Sequence, residues 1–196
     1  MSLLEAFRNL DTPVEDGLDE LAGEIVAKRL GLSATVAAQI ARYEGQVRRR
    51  APVSLDEAVA VFRLAGRRPD AQLVFADAGR RAARYAARSG PVLARAGARL
   101  PGVLGRSIGA GAATRAAGRT LGLQLAIDDQ GAVAEVGQPL SIVALADGSG
   151  CGFYGAALAE LLRLLTGFEG AMIHEHCRAR GDATCRWRAT SVGGYD

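Results

Sequence analysis

LQLAIDDQGAVAEVG, residues 123–137, is the stretch where the chain changes its pattern. It reads as a strand, a turn at Asp129, Gln130 and Gly131, and a second strand. PLSIVAL, residues 139–145, reads as a third. A glycine-rich turn, DGSGCG, then leads into FYGAALAELLRLLTG, a helix apolar on most sides and so expected to lie against the sheet, with Gly167 as its stop. Residues 170–178 and 184–190 read as two more strands. Helices first and a largely antiparallel sheet later define an α+β fold.

Upstream, the spacing predicts helices. Thr12-Pro13-Val14-Glu15 has the form of a capping box with proline at the first helical position, and Leu18, Leu21, Ala22 and Ile25 recur at helical spacing. Ser33 opens a second segment, with Val36, Ile40, Tyr43 and Val47 on one face and Arg48, Arg49 and Arg50 at the negative end of the dipole. Ser54-Leu55-Asp56-Glu57 is another capping box, opening a short helix closed by Gly66 and Pro69. A brief strand is expected over residues 72–76 and an arginine-rich helix over 77–88, with breaks at Gly90, Pro91 and Pro101. The small residues of 105–121 include GAGAAT, which lacks both a preceding strand and the third glycine of a dinucleotide loop. Close helix packing is the better reading. The expected organisation is an N-terminal helical region, 1–66, followed by a domain over 67–196.

With 196 residues, 49% of them hydrophobic, the chain can bury a substantial core. No apolar run approaches the roughly 20 residues that span a bilayer, and the opening MSLLEAFRNLDTPVEDG is too acidic for a secretory signal. A cytoplasmic protein is expected. The net charge is only +3, but residues 67–119 carry eleven arginines against Asp70 and Asp77. Such a segment suits an anion, although arginines spread over helices are most often a solvated face, and nucleic acid is not the expected partner.

Three cysteines is an odd count that fits metal ligation better than a disulfide framework. Both histidines, two cysteines and the single tryptophan lie in HEHCRARGDATCRW, residues 174–187. Cys177 and Cys185 are equidistant from Gly181, so a hairpin turning there opposes them. Directly opposed side chains have Cβ atoms about 4.5–5.5 Å apart, which suits two sulfurs on one metal ion. Cys151, at the start of the long helix, can add a third sulfur, favoured as thiolate by the helix dipole. His174, Glu175 and His176 all lie within reach of the fourth position. Simple alternation puts Glu175 on the face of Cys177 and both histidines on the other, unless a bulge intervenes.

The order CGFYGAALAELLRLLTG, then HEHCRARGDATCRW, resembles the C-terminal half of the 4-vinyl reductase domain family. That family's fold is related to TRAPP vesicle-tethering subunits, and it includes sensor domains of aromatic-responsive transcription activators and a bacteriochlorophyll biosynthesis protein. The sensors bind zinc through a cysteine before the helix, an acidic residue three positions ahead of a second cysteine, and a third cysteine eight positions later. Cys151, Cys177 and Cys185 match those cysteines, and His174 stands where the acidic ligand is. The resemblance implies a structural zinc held by Cys151, His174, Cys177 and Cys185. It covers residues 140–190 well and the earlier chain in outline.

The resemblance further implies a cavity for a small aromatic or other hydrophobic molecule, with Phe75, Tyr85, Phe153, Tyr154 and Met172 as candidate lining residues. Phenol is not the expected ligand, because the histidine and tryptophan that hold it in the sensors have no counterpart before Cys151. Nor is an enzyme the expected reading: no histidine lies outside the motif, and no serine elbow or nicotinamide site is present. The expected function is a zinc-stabilised sensor or carrier, homodimeric, reporting through a downstream regulatory protein. The alternatives are a tetrapyrrole 4-vinyl reductase or its accessory factor, and a structural interaction module.

Overall fold

In a computed structural model, the structure describes residues 1–11, 38, 41–43, 45, 46, 49, 53–90, 102–128 and 131–191. The expected helix starts at Thr12 and Ser33 lie outside these residues. Helix α1 (Ser2–Asp11), α2 (Leu55–Gly66), α3 (Ala71–Arg88) and α4 (Gly102–Ala116) precede the sheet, and α4 runs on into a π-helical turn, Ala117–Leu121. Then follow β1 (Gln124–Asp128), β2 (Gly131–Val136), α5 (Leu140–Ala144), a 3₁₀ turn at Ser149–Cys151, α6 (Gly152–Thr166), β3 (Gly170–His176) and β4 (Cys185–Ser191). The α+β reading holds, and all strand pairs are antiparallel in the order β1-β2-β4-β3.

Local chemistry sets the elements. At α2 the Ser54 hydroxyl accepts from the Glu57 N–H, and the Glu57 carboxylate accepts from the Ser54 N–H, so the capping box forms as read. Gly167 ends α6 in the left-handed conformation at φ 72°.

Two expected strands are helices. Residues 72–76 belong to α3, which starts at Ala71, because Val74, Phe75, Ala78, Ala82 and Ala86 form one buried stripe at helical spacing. PLSIVAL becomes α5: buried Pro139, which cannot donate to a ladder, sits at its N-cap, and the Leu140 N–H donates to the Tyr154 hydroxyl at 3.1 Å. A helical turn brings Ser141 and Ala144 inward together, which outweighs the strand preference of Ile142 and Val143.

Helix α6 is apolar on most sides because it is sandwiched. One side meets β3, while its most extensive packing is with α3 and a further side meets α4. The helices approach closely. A Cβ on Gly79 of α3 would lie 2.2 Å from the Phe153 carbonyl oxygen, and one on Gly109 of α4 would lie 2.0 Å from that of Leu165. GAGAAT is thus a packing surface, as its lack of a preceding strand suggests. Helix α1 packs on α3, and the buried residues run as one core from Leu3 and Phe7 to Trp187. No helix among the described residues is long and apolar enough to cross a membrane.

Candidate metal centre

The inner face of the sheet carries one row from edge to edge. Leu125 pairs with Ala134, Ala134 with Trp187, and Trp187 with His174. Beyond His174 the ladder slips: the register moves from His174↔Trp187 to His176↔Arg186, leaving Glu175 as the extra residue. This bulge offsets the alternation by one. Glu175, next to inward-facing His174, turns to the outer face, with its carboxylate 2.7 Å from Arg188 Nε and 3.4 Å from Arg186 Nε. His176 Nδ1 lies 3.6 Å from the Asp182 carboxylate. His174 and Cys177, three positions apart, end on the same side.

Their ligand atoms, together with those of Cys151 and Cys185, all lie within 4.8 Å of one another. A tetrahedral ion with bonds of about 2.0–2.3 Å would hold such atoms about 3.5–3.8 Å apart, so a small contraction completes the site. All three cysteines are buried and unbridged. His174 Nε2 is buried with no hydrogen-bond partner. A buried ring nitrogen free to donate its lone pair is what a metal-binding histidine offers. Burial, then the charge of Arg180, lowers the His174 pKa, which keeps the imidazole neutral as ligation requires.

The turn joining β3 and β4 supports the sulfurs. It is a 3₁₀ turn, Arg178–Arg180, followed by Gly181 at φ 94°, the left-handed conformation for which a glycine is suited. The Arg178 N–H points at Cys185 Sγ at 3.4 Å, and the Cys177 N–H donates to Asp182 Oδ2 at 2.6 Å. From the other side, the Ser141 hydroxyl lies 3.4 Å from Cys151 Sγ. Without metal, burial pushes the Cys151 thiol up to about 12, with Cys185 and Cys177 adding to the effect and the Ser141 hydrogen bond opposing it. Burial also raises Cys185. The dipole argument for a Cys151 thiolate is therefore outweighed; a cation must displace the proton.

Trp187 explains the gathering of residues in HEHCRARGDATCRW. Its ring stacks on His174 with centroids 4.6 Å apart and planes 7° from parallel. Edge-to-face and tilted contacts continue the row through Tyr154 and Phe153 to Phe62, which stacks on Phe75. Ser141, Asp182 and the N–H of Arg178 escaped the sequence reading. Only the hydroxyl and carboxylate near the motif hinted at them, since PLSIVAL looked like a strand.

The five candidate lining residues stand in different surroundings among the described residues. Phe75, Phe153 and Tyr154 are packed within the core, 0%, 8% and 5% exposed. Tyr85 is 42% exposed and donates its hydroxyl proton to the Glu5 carboxylate at 2.6 Å. Met172 borders a surface groove beside α6. A separate apolar cleft of about 240 Å³ lies between α1 and α2, lined by Leu3, Leu4, Tyr43, Val53, Val61 and Phe62 among others. The chain matches no family model, no curated protein and no solved structure.

Proposed function

We propose that the protein is a zinc-stabilised domain that binds a small hydrophobic molecule, acting as a sensor or carrier. The observation that carries the metal reading is the convergence of three buried sulfurs and an unpartnered imidazole nitrogen from two distant parts of the chain. Soft thiolates with one imidazole select zinc among abundant divalent ions. Such a ligand set leaves no open position, so the metal would be structural, tying the β3–β4 turn to the start of α6.

The ligand reading draws on the resemblance to the 4-vinyl reductase domain family and on the α1–α2 cleft. Apolar pockets with a few polar groups suit small aromatic molecules, and a lined cavity of about 150 Å³ already accepts benzene. Phe62 belongs to both the cleft and the row of rings that ends on His174. The row gives the cleft and the metal centre a continuous packed connection. A reducing, cytoplasmic setting and a homodimer complete the proposal, with a downstream regulatory protein as the recipient of the signal.

Native mass spectrometry of the purified protein, paired with metal analysis, tests both parts. About one zinc per chain and a retained aromatic or lipid-like mass are expected. Reduced protein without metal refutes the zinc site. A pigment mass redirects the reading to tetrapyrrole chemistry, and bare protein copurifying with a partner redirects it to an interaction module.

A further inference from the structure

We propose that the groove beside the edge strand β3 docks an extended, acidic segment of a partner protein, which adds a strand to the sheet. This is independent of both the zinc and the α1–α2 cleft. β3 is the last strand of the order β1-β2-β4-β3, so one side of its backbone has no ladder partner among the described strands. An unpaired edge is a template for another strand, and native proteins usually blunt it with charge, bulges or cover. Here the blunting is confined to one end. The bulge sits at Glu175, whose carbonyl oxygen accepts from Arg180 Nη2 at 2.8 Å. The other end, from Gly170 to Ile173, keeps regular pairing with β4 and carries no such guard.

That open end borders a groove of about 620 Å³. Its floor on α6 is Gly155, Ala156 and Ala159, which leaves depth for an incoming side chain, and Met172 lines its strand side. The charge is supplied by arginines. Glu160, only 7% exposed, binds Arg84 Nε and Arg163 Nε, each at 2.8 Å. One buried carboxylate thus fixes two guanidiniums, of which that of Arg163 lines the groove and adds its Nη2 to the same carboxylate. Arg80, one turn before Arg84, is exposed and has no carboxylate partner among the described residues. Among the described residues that line the groove, Arg80 and Arg163 stand against Glu169 and Glu160, and the charge of Glu160 is already met by Arg84 outside the lining. The excess is cationic, so an added strand is selected for acidic side chains alternating with small apolar ones: one set meets the arginines while backbone pairing supplies affinity without regard to sequence.

An acetylated octapeptide of alternating glutamate and valine, titrated into the full chain at low salt and read by fluorescence anisotropy, tests this. It should bind at least tenfold more tightly than its lysine–valine counterpart. Hydrogen exchange should slow in β3. Arg80→Glu, an exposed site outside the metal centre and the core, should weaken binding about tenfold, the sum of a lost rim contact and a new repulsion. N-methylating alternate amides along one edge of the peptide should abolish binding, and along the other edge should leave it intact. Equal binding of the lysine peptide, indifference to N-methylation on both edges, or unchanged exchange in β3 would overturn the proposal. So would dodecanoate binding that depends on Arg80 when the glutamate peptide does not bind, which would make the occupant a small anionic amphiphile.

Discussion

His174 lies flat against Trp187, with ring centroids 4.6 Å apart, and keeps a buried Nε2 free of any hydrogen bond. The stacking fixes the imidazole plane, and the bulge at Glu175 brings Cys177, three positions on, to the same side of the sheet. Ligand identity follows from these two constraints. Replacing His174 by alanine is expected to weaken zinc binding by about 10–100-fold or more, the range in which ligand-supporting changes already fall. Glu175→Ala and His176→Ala should keep one zinc per chain. Deleting Glu175 would straighten the strand and set His174 two positions from Cys177, on the same face by plain alternation, so zinc should again be retained. Competitive titration with a chromophoric chelator measures all four.

Cys177→Ser or Cys185→Ser should lose the metal and much of the stability, since a structural zinc contributes its binding energy to folding. A loss of about 3 kcal/mol corresponds to a fall in Tm of about 6–12 °C for a chain of this size. Thermal unfolding with and without a chelator separates the two effects: the chelator should destabilise the wild type and leave the serine variants unchanged.

The thiols give a pH signature whose sign depends on the metal. In the metal-free fold, burial holds the Cys151 thiol up at about 12, above its ordinary value of 9.0. A raised folded-state pKa contributes stability below about pH 9 that is lost as pH rises towards about 12, because the unfolded chain sheds the proton first. The metal-free protein should therefore weaken in alkaline solution. The zinc form, with the thiolates already deprotonated, should lack that loss and instead release metal on acidification. Zinc uptake near pH 7 in weak buffer should release at least two protons, from Cys151 and Cys185, measurable with an indicator dye.

Gly79→Ala and Gly109→Ala test how tightly α6 is clasped. Each new methyl would meet a carbonyl oxygen of α6 at 2.2 or 2.0 Å, so α3 or α4 must shift. Overpacking of this kind costs about 1–3 kcal/mol. Gly118→Ala is the control, because its added carbon finds its nearest neighbour at 3.8 Å, ordinary contact distance. Denaturant unfolding should rank Gly118→Ala close to wild type and both others well below it.

Much of this architecture was legible in the residues themselves. The Ser54–Glu57 box, the β1–β2 hairpin, the stop at Gly167 and the turn at Gly181 are each written in a few neighbouring side chains, and each formed as read. Local signals are enough there because the energies involved, a cap or a permissive φ, are themselves local. The signals misled at residues 72–76 and at PLSIVAL, where β-branched or apolar runs suggested strands. Burial against α6, and a Tyr154 hydroxyl fourteen residues from Leu140, settled those segments as helices.

The same division runs through the metal centre. The amino-acid order alone supplied three cysteines at telling intervals and a short menu for the fourth ligand: His174, Glu175 or His176. Strand alternation favoured Glu175. Only the folded sheet, by slipping its ladder between His174 and His176, brought the imidazole and the sulfurs to one side and left the carboxylate with Arg186 and Arg188. A bulge is a compromise between pairing on one strand and the geometry of the turn beyond it, so no single stretch of the chain encodes it. Burial of the three thiols is likewise a property of the assembled layers, and it makes a cation, rather than a helix dipole, the agent that would deprotonate them.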